Sequence, residues 1–384
     1  MPIPTAAEPM SVLRRRTSVK WRSYPDDVLP MFVAEMDFPL APSIAAALHE
    51  AVDLGDTGYI PGRDLSAARA FSAFAEDEWG WAPDPRRMRT TTDVSVVIVE
   101  SLRRLIRPGD GVIVTSPVYP PFYDMIPEAG GTVVDVPLHD DGTSISLDID
   151  AIDAALAAGA RGVLLCSPHN PLGLVHDRET LERLAAVVER HGGFVVADEI
   201  HAPLAYAGVT FTPYLSVSDA ARAHGIAAES GSKAFNLAGL KTAFFVAESD
   251  AMTDLIRGLP AEVEYRTGHF GLIATREGFA HGRDWLHATI AAIEQNVDHL
   301  EAELAAHLPS VRLRRPSASF LAWLDLSALG WGEDPGAIAL RDARVALANG
   351  PAFGPPGFGH ARMNIGCAPE TITEAVRRLA AVSR

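Results

Sequence analysis

The chain has 384 residues, with 33 Lys+Arg against 49 Asp+Glu and a formal charge of −16. That balance argues against nucleic acid or an anionic membrane as the main partner, because such binding needs clustered cations. With 48% apolar and 21% charged residues, the composition is that of a globular protein, and the length predicts two domains of unequal size.

At the N-terminus, Met1 to Glu8 shows no basic region followed by an apolar core, so no secretory signal is expected. Arg14-Arg15-Arg16 reads as a solvated surface turn. Short β-rich runs follow at Gly111–Thr115, Thr132–Val136, Gly162–Cys166, Phe194–Asp198 and Thr242–Val246. Helical patterns lie between most of them. Asp177 to Arg190, for instance, carries Leu181, Leu184, Ala185 and Val188 at helical spacing. Strands alternating with helices predict an α/β fold with a mostly parallel sheet covered on both faces. In such sheets, ligands sit at the carboxyl ends of the strands.

The pattern changes after about residue 283. A long helix is expected from Trp285 to His307, then strand-like Val311–Arg314 and Phe320–Leu324, a helix near Pro335–Ala348, and Arg362–Ile365 before a last helix. Gly350–Gly359 holds too many Gly and Pro residues for anything but a loop. The expected division is an N-terminal arm over 1–45 that joins the small domain, a large domain over 46–282, and a small α+β domain over 283–384. No run approaches the roughly 18–20 apolar residues of a membrane span. Cys166 and Cys367 are the only cysteines. Two so far apart suggest neither a disulfide framework nor a zinc site, and a cytoplasmic setting is expected. The histidines show no pairing with Glu of the zinc-hydrolase kind, so no metal is expected.

Three segments carry chemistry. Asn170, in Ser167-Pro-His-Asn-Pro-Leu-Gly173, directly follows one apolar strand. Asp198, in Asp198-Glu-Ile-His201, ends another. Lys233 stands in Ser230-Gly-Ser-Lys233, with a second lysine at Lys241. Each alone has a plain reading, as a turn, a helix cap or a surface lysine. Their order and spacing resemble the pyridoxal-phosphate enzymes of the aspartate aminotransferase fold, fold type I, over nearly the whole chain from about Lys20.

That resemblance implies a central sheet of the seven-stranded type and assigns roles. Lys233 would form a Schiff base with pyridoxal 5'-phosphate and then move the substrate Cα proton. Asp198 would pair with the pyridine nitrogen, and Asn170 would donate to the phenolic oxygen. Ser230, Ser232 and Lys241 would bind the phosphate, joined by Val94 and Ser95 at a helix start. Asp93 stands where relatives often have Gly or Ser; a carboxylate repels phosphate, so its side chain is expected to point away. Tyr119 would stack on the ring, and His201 would hydrogen-bond Asp198 or the phenolic side of the ring. Arg362 would grip the substrate carboxylate through paired hydrogen bonds. Tyr59 would reach the neighbouring subunit's site, which implies a homodimer with shared active sites.

Within the family, Pro30-Met-Phe-Val-Ala-Glu-Met-Asp-Phe-Pro39 and the His of Asp198-Glu-Ile-His201 resemble the cystathionine β-lyase, or C–S β-lyase, branch. Phe32 and Glu35 depart from its usual Trp and Asp. The branch implies a small-molecule amino-acid substrate cleaved by α,β-elimination, with Tyr59 or Tyr119 near the leaving sulfur. An aminotransferase shares the first steps and is the runner-up. A non-catalytic regulatory role runs against the intact set of Lys233, Asp198, Asn170 and Arg362.

Overall fold

The computed structural model describes residues 5–383 apart from residue 63. Residues 1–4 of the expected arm and residue 384 of the expected small domain lie outside the described residues.

Seven strands form the central sheet: β1 (Met88–Thr91), β2 (Gly111–Val114), β3 (Thr132–Asp135), β4 (Gly162–Cys166), β5 (Phe194–Asp198), β6 (Gly225–Glu229) and β7 (Ala243–Val246). Their spatial order is β1-β7-β6-β5-β4-β2-β3. All pairs are parallel except those of β7, which runs antiparallel to both β1 and β6.

Burial explains the apolar runs. Val163 and Leu165 of β4 pack into one apolar layer, and Leu164 and Cys166 into the layer on the opposite face. β5 divides the same way, with Val195 and Ala197 on one side and Phe194 and Val196 on the other. A strand buried on both faces has no polar face to show, hence its unbroken hydrophobicity. Each fully buried Val, Leu or Phe contributes about 1.5–3 kcal/mol.

Two crossover helices matter for the site. α1 (Val94–Leu105) buries Val94, Val97, Ile98 and Leu102 against the sheet. α2 (Arg178–Arg190) starts where the Asp177 carboxylate accepts from the Thr180 amide at 2.7 Å. That bond satisfies one of the donors a helix start leaves free. α2 buries Leu181, Leu184, Ala185 and Val188, the stripe expected from the sequence.

The C-terminal part opens with α3 (Arg283–His307). A four-stranded antiparallel sheet follows, built from β8 (Arg312–Arg314), β9 (Leu321–Asp325), β10 (Ala348–Asn349) and β11 (His360–Asn364) in the order β8-β9-β11-β10. α4 (Pro369–Val382) closes the chain. The helix expected over Pro335–Ala348 is much shorter. An α-helical turn at Pro335–Ile338 passes into a π-helical turn at Ala339–Ala343 and stops at Arg344, whose φ is +57°. The next residues are drawn into a strand instead, since Val345 and Ala346 pair in parallel with Leu29 and Pro30. That pairing ties the N-terminal segment to the C-terminal part, reinforced by the Asp27 carboxylate on the Arg344 guanidinium at 2.7 and 3.0 Å.

Arg14 and Arg15 of the arginine run lie in an exposed turn, as expected, whereas Arg16 is half-buried. Arg16 donates to the carbonyls of Met36 and Phe38, both at 3.2 Å, and Arg14 donates to the Asp26 carbonyl at 2.7 Å.

Candidate active site

Lys233, Asp198, Asn170, Tyr119, His201, Arg362, Ser232, Val94 and Ser95 line one cavity of about 220 Å³. It opens at the carboxyl ends of β4 and β5, where parallel sheets place their ligands. A larger cavity of about 660 Å³, bounded by Leu65, Met88 and Arg257, contains none of the expected residues.

The sheet register sets the site's floor. Asp198 ends β5 directly opposite Cys166, the last residue of β4. The Asn170 amide turns back to the Cys166 sulfur at 3.3 Å, which folds the loop after β4 over the same end. Tyr119 and Asn170 each follow a cis-prolyl bond, at Ser116–Pro117 and Ser167–Pro168.

Asp198 is 5% exposed and accepts from the Ile200 amide at 3.2 Å. Burial pushes its carboxyl up to about 7, against smaller opposing effects of that hydrogen bond and of Lys233. Lys233 is partly buried, and its Nζ donates to the Ala34 carbonyl at 2.9 Å. Burial first, then the Arg362 guanidinium, brings its amine down to about 8. Arg362 donates from Nη1 to Asn170 Oδ1 at 2.9 Å and from Nη2 to the Phe32 carbonyl at 2.8 Å. Its Nε is buried with no protein partner, and burial lowers its pKa to about 10. The Tyr119 phenol is pushed up by burial and by Asp198.

His201 does not bond Asp198. Its Nδ1 lies 3.0 Å from Ser319 Oγ, and burial drives its pKa well below the usual value, so the ring is neutral. Ser230 Oγ lies 2.8 Å from Ser232 Oγ and 2.7 Å from the Thr242 carbonyl. Tyr59 stands apart, 91% exposed on the surface of the chain.

Asp93 lines the cavity, and its carboxylate accepts from Lys241 Nζ at 3.1 and 3.3 Å. The reason is local: Asp93 precedes α1 but its side chain does not cap the helix, so it is free to meet the nearby ammonium.

Sequence reasoning missed the strap over residues 32–36. The carbonyls of Phe32 and Ala34 hold Arg362 and Lys233. Asn364 Nδ2 pins the strap through the carbonyls of Val33 and Glu35 at 2.7 and 2.6 Å. Asn236 clamps Met36 from the other side, through both its amide and its carbonyl at 2.9 Å. The only sequence signal was the Pro30–Pro39 segment itself, since main-chain groups carry no residue signature.

A model of the family "Aminotransferase class I and II" matches residues 27–379. The chain is 42% identical over 389 residues to a Mycobacterium leprae protein provisionally named cystathionine β-lyase, covering 96% of this chain and 95% of that one. It is 33% identical over 372 residues to the cystathionine β-lyase of Corynebacterium glutamicum, covering 96% and 98%. Among solved structures, a Corynebacterium diphtheriae protein provisionally named a PLP-dependent β-cystathionase superposes with a TM-score of 0.93, at 30% identity over 99% of both chains. By its family match, its relatives and its fold, this chain belongs to the class I and II aminotransferase family.

Proposed function

We propose that the chain is a pyridoxal 5'-phosphate-dependent carbon–sulfur β-lyase. It would cleave L-cystathionine or a related cysteine S-conjugate to a thiol, pyruvate and ammonia by α,β-elimination. The observation that carries this reading is the meeting of Lys233 and Asp198 in one cavity, with an amine held near neutrality and a carboxyl lacking a cation. The names of the Corynebacterium glutamicum and Mycobacterium leprae relatives support the branch.

The residues fit the cofactor. A buried carboxyl that holds its proton to about pH 7 becomes a stable carboxylate once a cationic ring nitrogen stands beside it. Asn170 gives its Oδ1 to Arg362, which leaves Nδ2 to donate to a phenolic oxygen. Tyr119 offers a ring face, and Ser232, Lys241 and the amides of Val94 and Ser95 offer donors to a phosphate, whereas the Ser230 hydroxyl is turned to the Thr242 carbonyl. When bound, the cofactor supplies the covalent attachment for an amino group and the electron sink for charge at Cα.

The chain's own groups do the rest. Lys233 would hold the cofactor covalently, and its free amine would take the Cα proton of the substrate. A pKa of about 8 suits it to both tasks near neutral pH. Asp198 would pair with the ring nitrogen and favour its protonated form. Arg362 exchanges the Phe32 carbonyl for the substrate carboxylate, and its unpartnered Nε adds a further donor. The hydroxyls of Tyr119 and of Tyr59, the latter from a neighbouring subunit in a homodimer, are those available to the leaving sulfur.

The test is an assay of purified holoprotein with L-cystathionine, following pyruvate and free thiol. Pyruvate without an added keto acid is expected. Product only when a keto acid is supplied would overturn the lyase reading in favour of aminotransfer.

A further inference from the structure

The phosphate end of the cavity carries a charge that a phosphate pocket does not need. Lys241 is the one cation among the residues assigned to the phosphate, and it enters from a backbone with φ of +63°. Its ammonium is paired with the Asp93 carboxylate at 3.1 Å. Neither group is deeply buried, with side-chain exposures of 54% for Lys241 and 32% for Asp93. Asp93 is the residue immediately before α1, whose first free amides are those of Val94 and Ser95. A phosphate dianion arriving here meets hydroxyls, amides and an already neutralised lysine.

Resting on the lyase reading above, we propose that Asp93 is a specificity-determining residue. By cancelling Lys241 it weakens the non-covalent hold on the cofactor phosphate, so that the cofactor is retained chiefly through its covalent bond to Lys233. The consequence separates two chemistries. β-Elimination would leave the cofactor at the aldehyde oxidation level, so the Lys233 amine could displace the product amine and bond to it again at each turnover. Aminotransfer leaves it as the amine, pyridoxamine 5'-phosphate, which cannot bond to Lys233 and is held by non-covalent contacts alone. A weak phosphate grip lets that amine form escape and suppresses aminotransfer.

The test measures binding of pyridoxamine 5'-phosphate to cofactor-stripped full-length protein by equilibrium dialysis, with phosphate-free pyridoxamine as the control ligand. Asp93→Asn removes the carboxylate at nearly constant shape. It is expected to tighten pyridoxamine 5'-phosphate by roughly tenfold or more and to leave pyridoxamine unchanged, since one like charge is removed a few ångströms from the anion. Asp93→Ser is a second variant with the same expected direction, should the amide disturb folding. Equal affinity of wild type and both variants for pyridoxamine 5'-phosphate overturns the proposal, as does an equal gain for both ligands. If wild type and variants take up neither ligand and give no visible band with pyridoxal 5'-phosphate, the cofactor reading itself fails and the proposal with it.

Discussion

Lys233 sits where burial and the Arg362 guanidinium both disfavour a positive charge, while Glu35, Asp198 and Asp93 act in the opposite sense. The net is a pKa of about 8, against 10.5 for an ordinary lysine. In cofactor-free protein this makes Lys233 a neutral nucleophile above pH 8. Modification by an amine-selective reagent, followed by peptide mapping, is therefore expected to show Lys233 reacting with a midpoint near pH 8. A midpoint at or above pH 10 would mean that the burial argument fails. Lys233, Asp198, Asn170 and Arg362, which line one cavity, could be picked out of the sequence because each expected role needs one particular side chain. The carbonyls of Ala34 and Phe32 were not, because any residue supplies a carbonyl. For Asp93, the repulsion of a phosphate was foreseen, and the attraction to Lys241 was not.

At the scale of elements, the strap over 32–36 joins the two parts of the molecule at the cavity. Asn364, at the end of β11, donates to two of its carbonyls, and its Oδ1 accepts from the Gly366 amide at 2.8 Å. Replacing it with Ala strips three hydrogen bonds at a 1% exposed position. Asn364→Ala is expected to lower stability by about 1–3 kcal/mol, the range for leaving buried polar groups unsatisfied. Because the strap's Phe32 carbonyl holds Arg362, the variant should also raise KM for the amino-acid substrate more than it lowers kcat. A change confined to kcat would detach the strap from substrate binding. The strands themselves were unevenly legible. β4 and β5 announce themselves as apolar runs, whereas β1, Met-Arg-Thr-Thr, and β6, Gly-Ile-Ala-Ala-Glu, are strands only because the sheet recruits them. β7 was located, but its antiparallel direction follows from the topology, which no local pattern encodes.

For the molecule as a whole, charge is unevenly invested. Most of the −16 is at the surface, yet Glu199 and Glu229 are fully buried in the core beside Asp198. Glu199 Oε1 accepts from the Tyr214 amide at 2.7 Å, while Glu199 Oε2 and both oxygens of Glu229 have no protein donor. A proton shared between the two carboxyls supplies the missing donor. Burial pushes Glu199 up to about 7 and Glu229 well above the usual carboxylate value, with the Glu199 charge adding to the rise at Glu229. Both folded values lie above the ordinary 4.5, so the folded state holds protons that the unfolded chain gives up. This stabilisation is complete below about pH 4.5 and is lost as pH rises through 7 and beyond. Glu229→Gln provides a permanent N–H donor to Glu199 and removes one titrating group. Its urea midpoint is therefore expected to fall less than that of wild type between pH 5 and pH 8.5. At the alkaline end the variant should be the more stable by about 1–3 kcal/mol, the scale of an uncompensated buried polar group. Parallel midpoint curves for the two proteins across that range would show that the buried pair carries no shared proton.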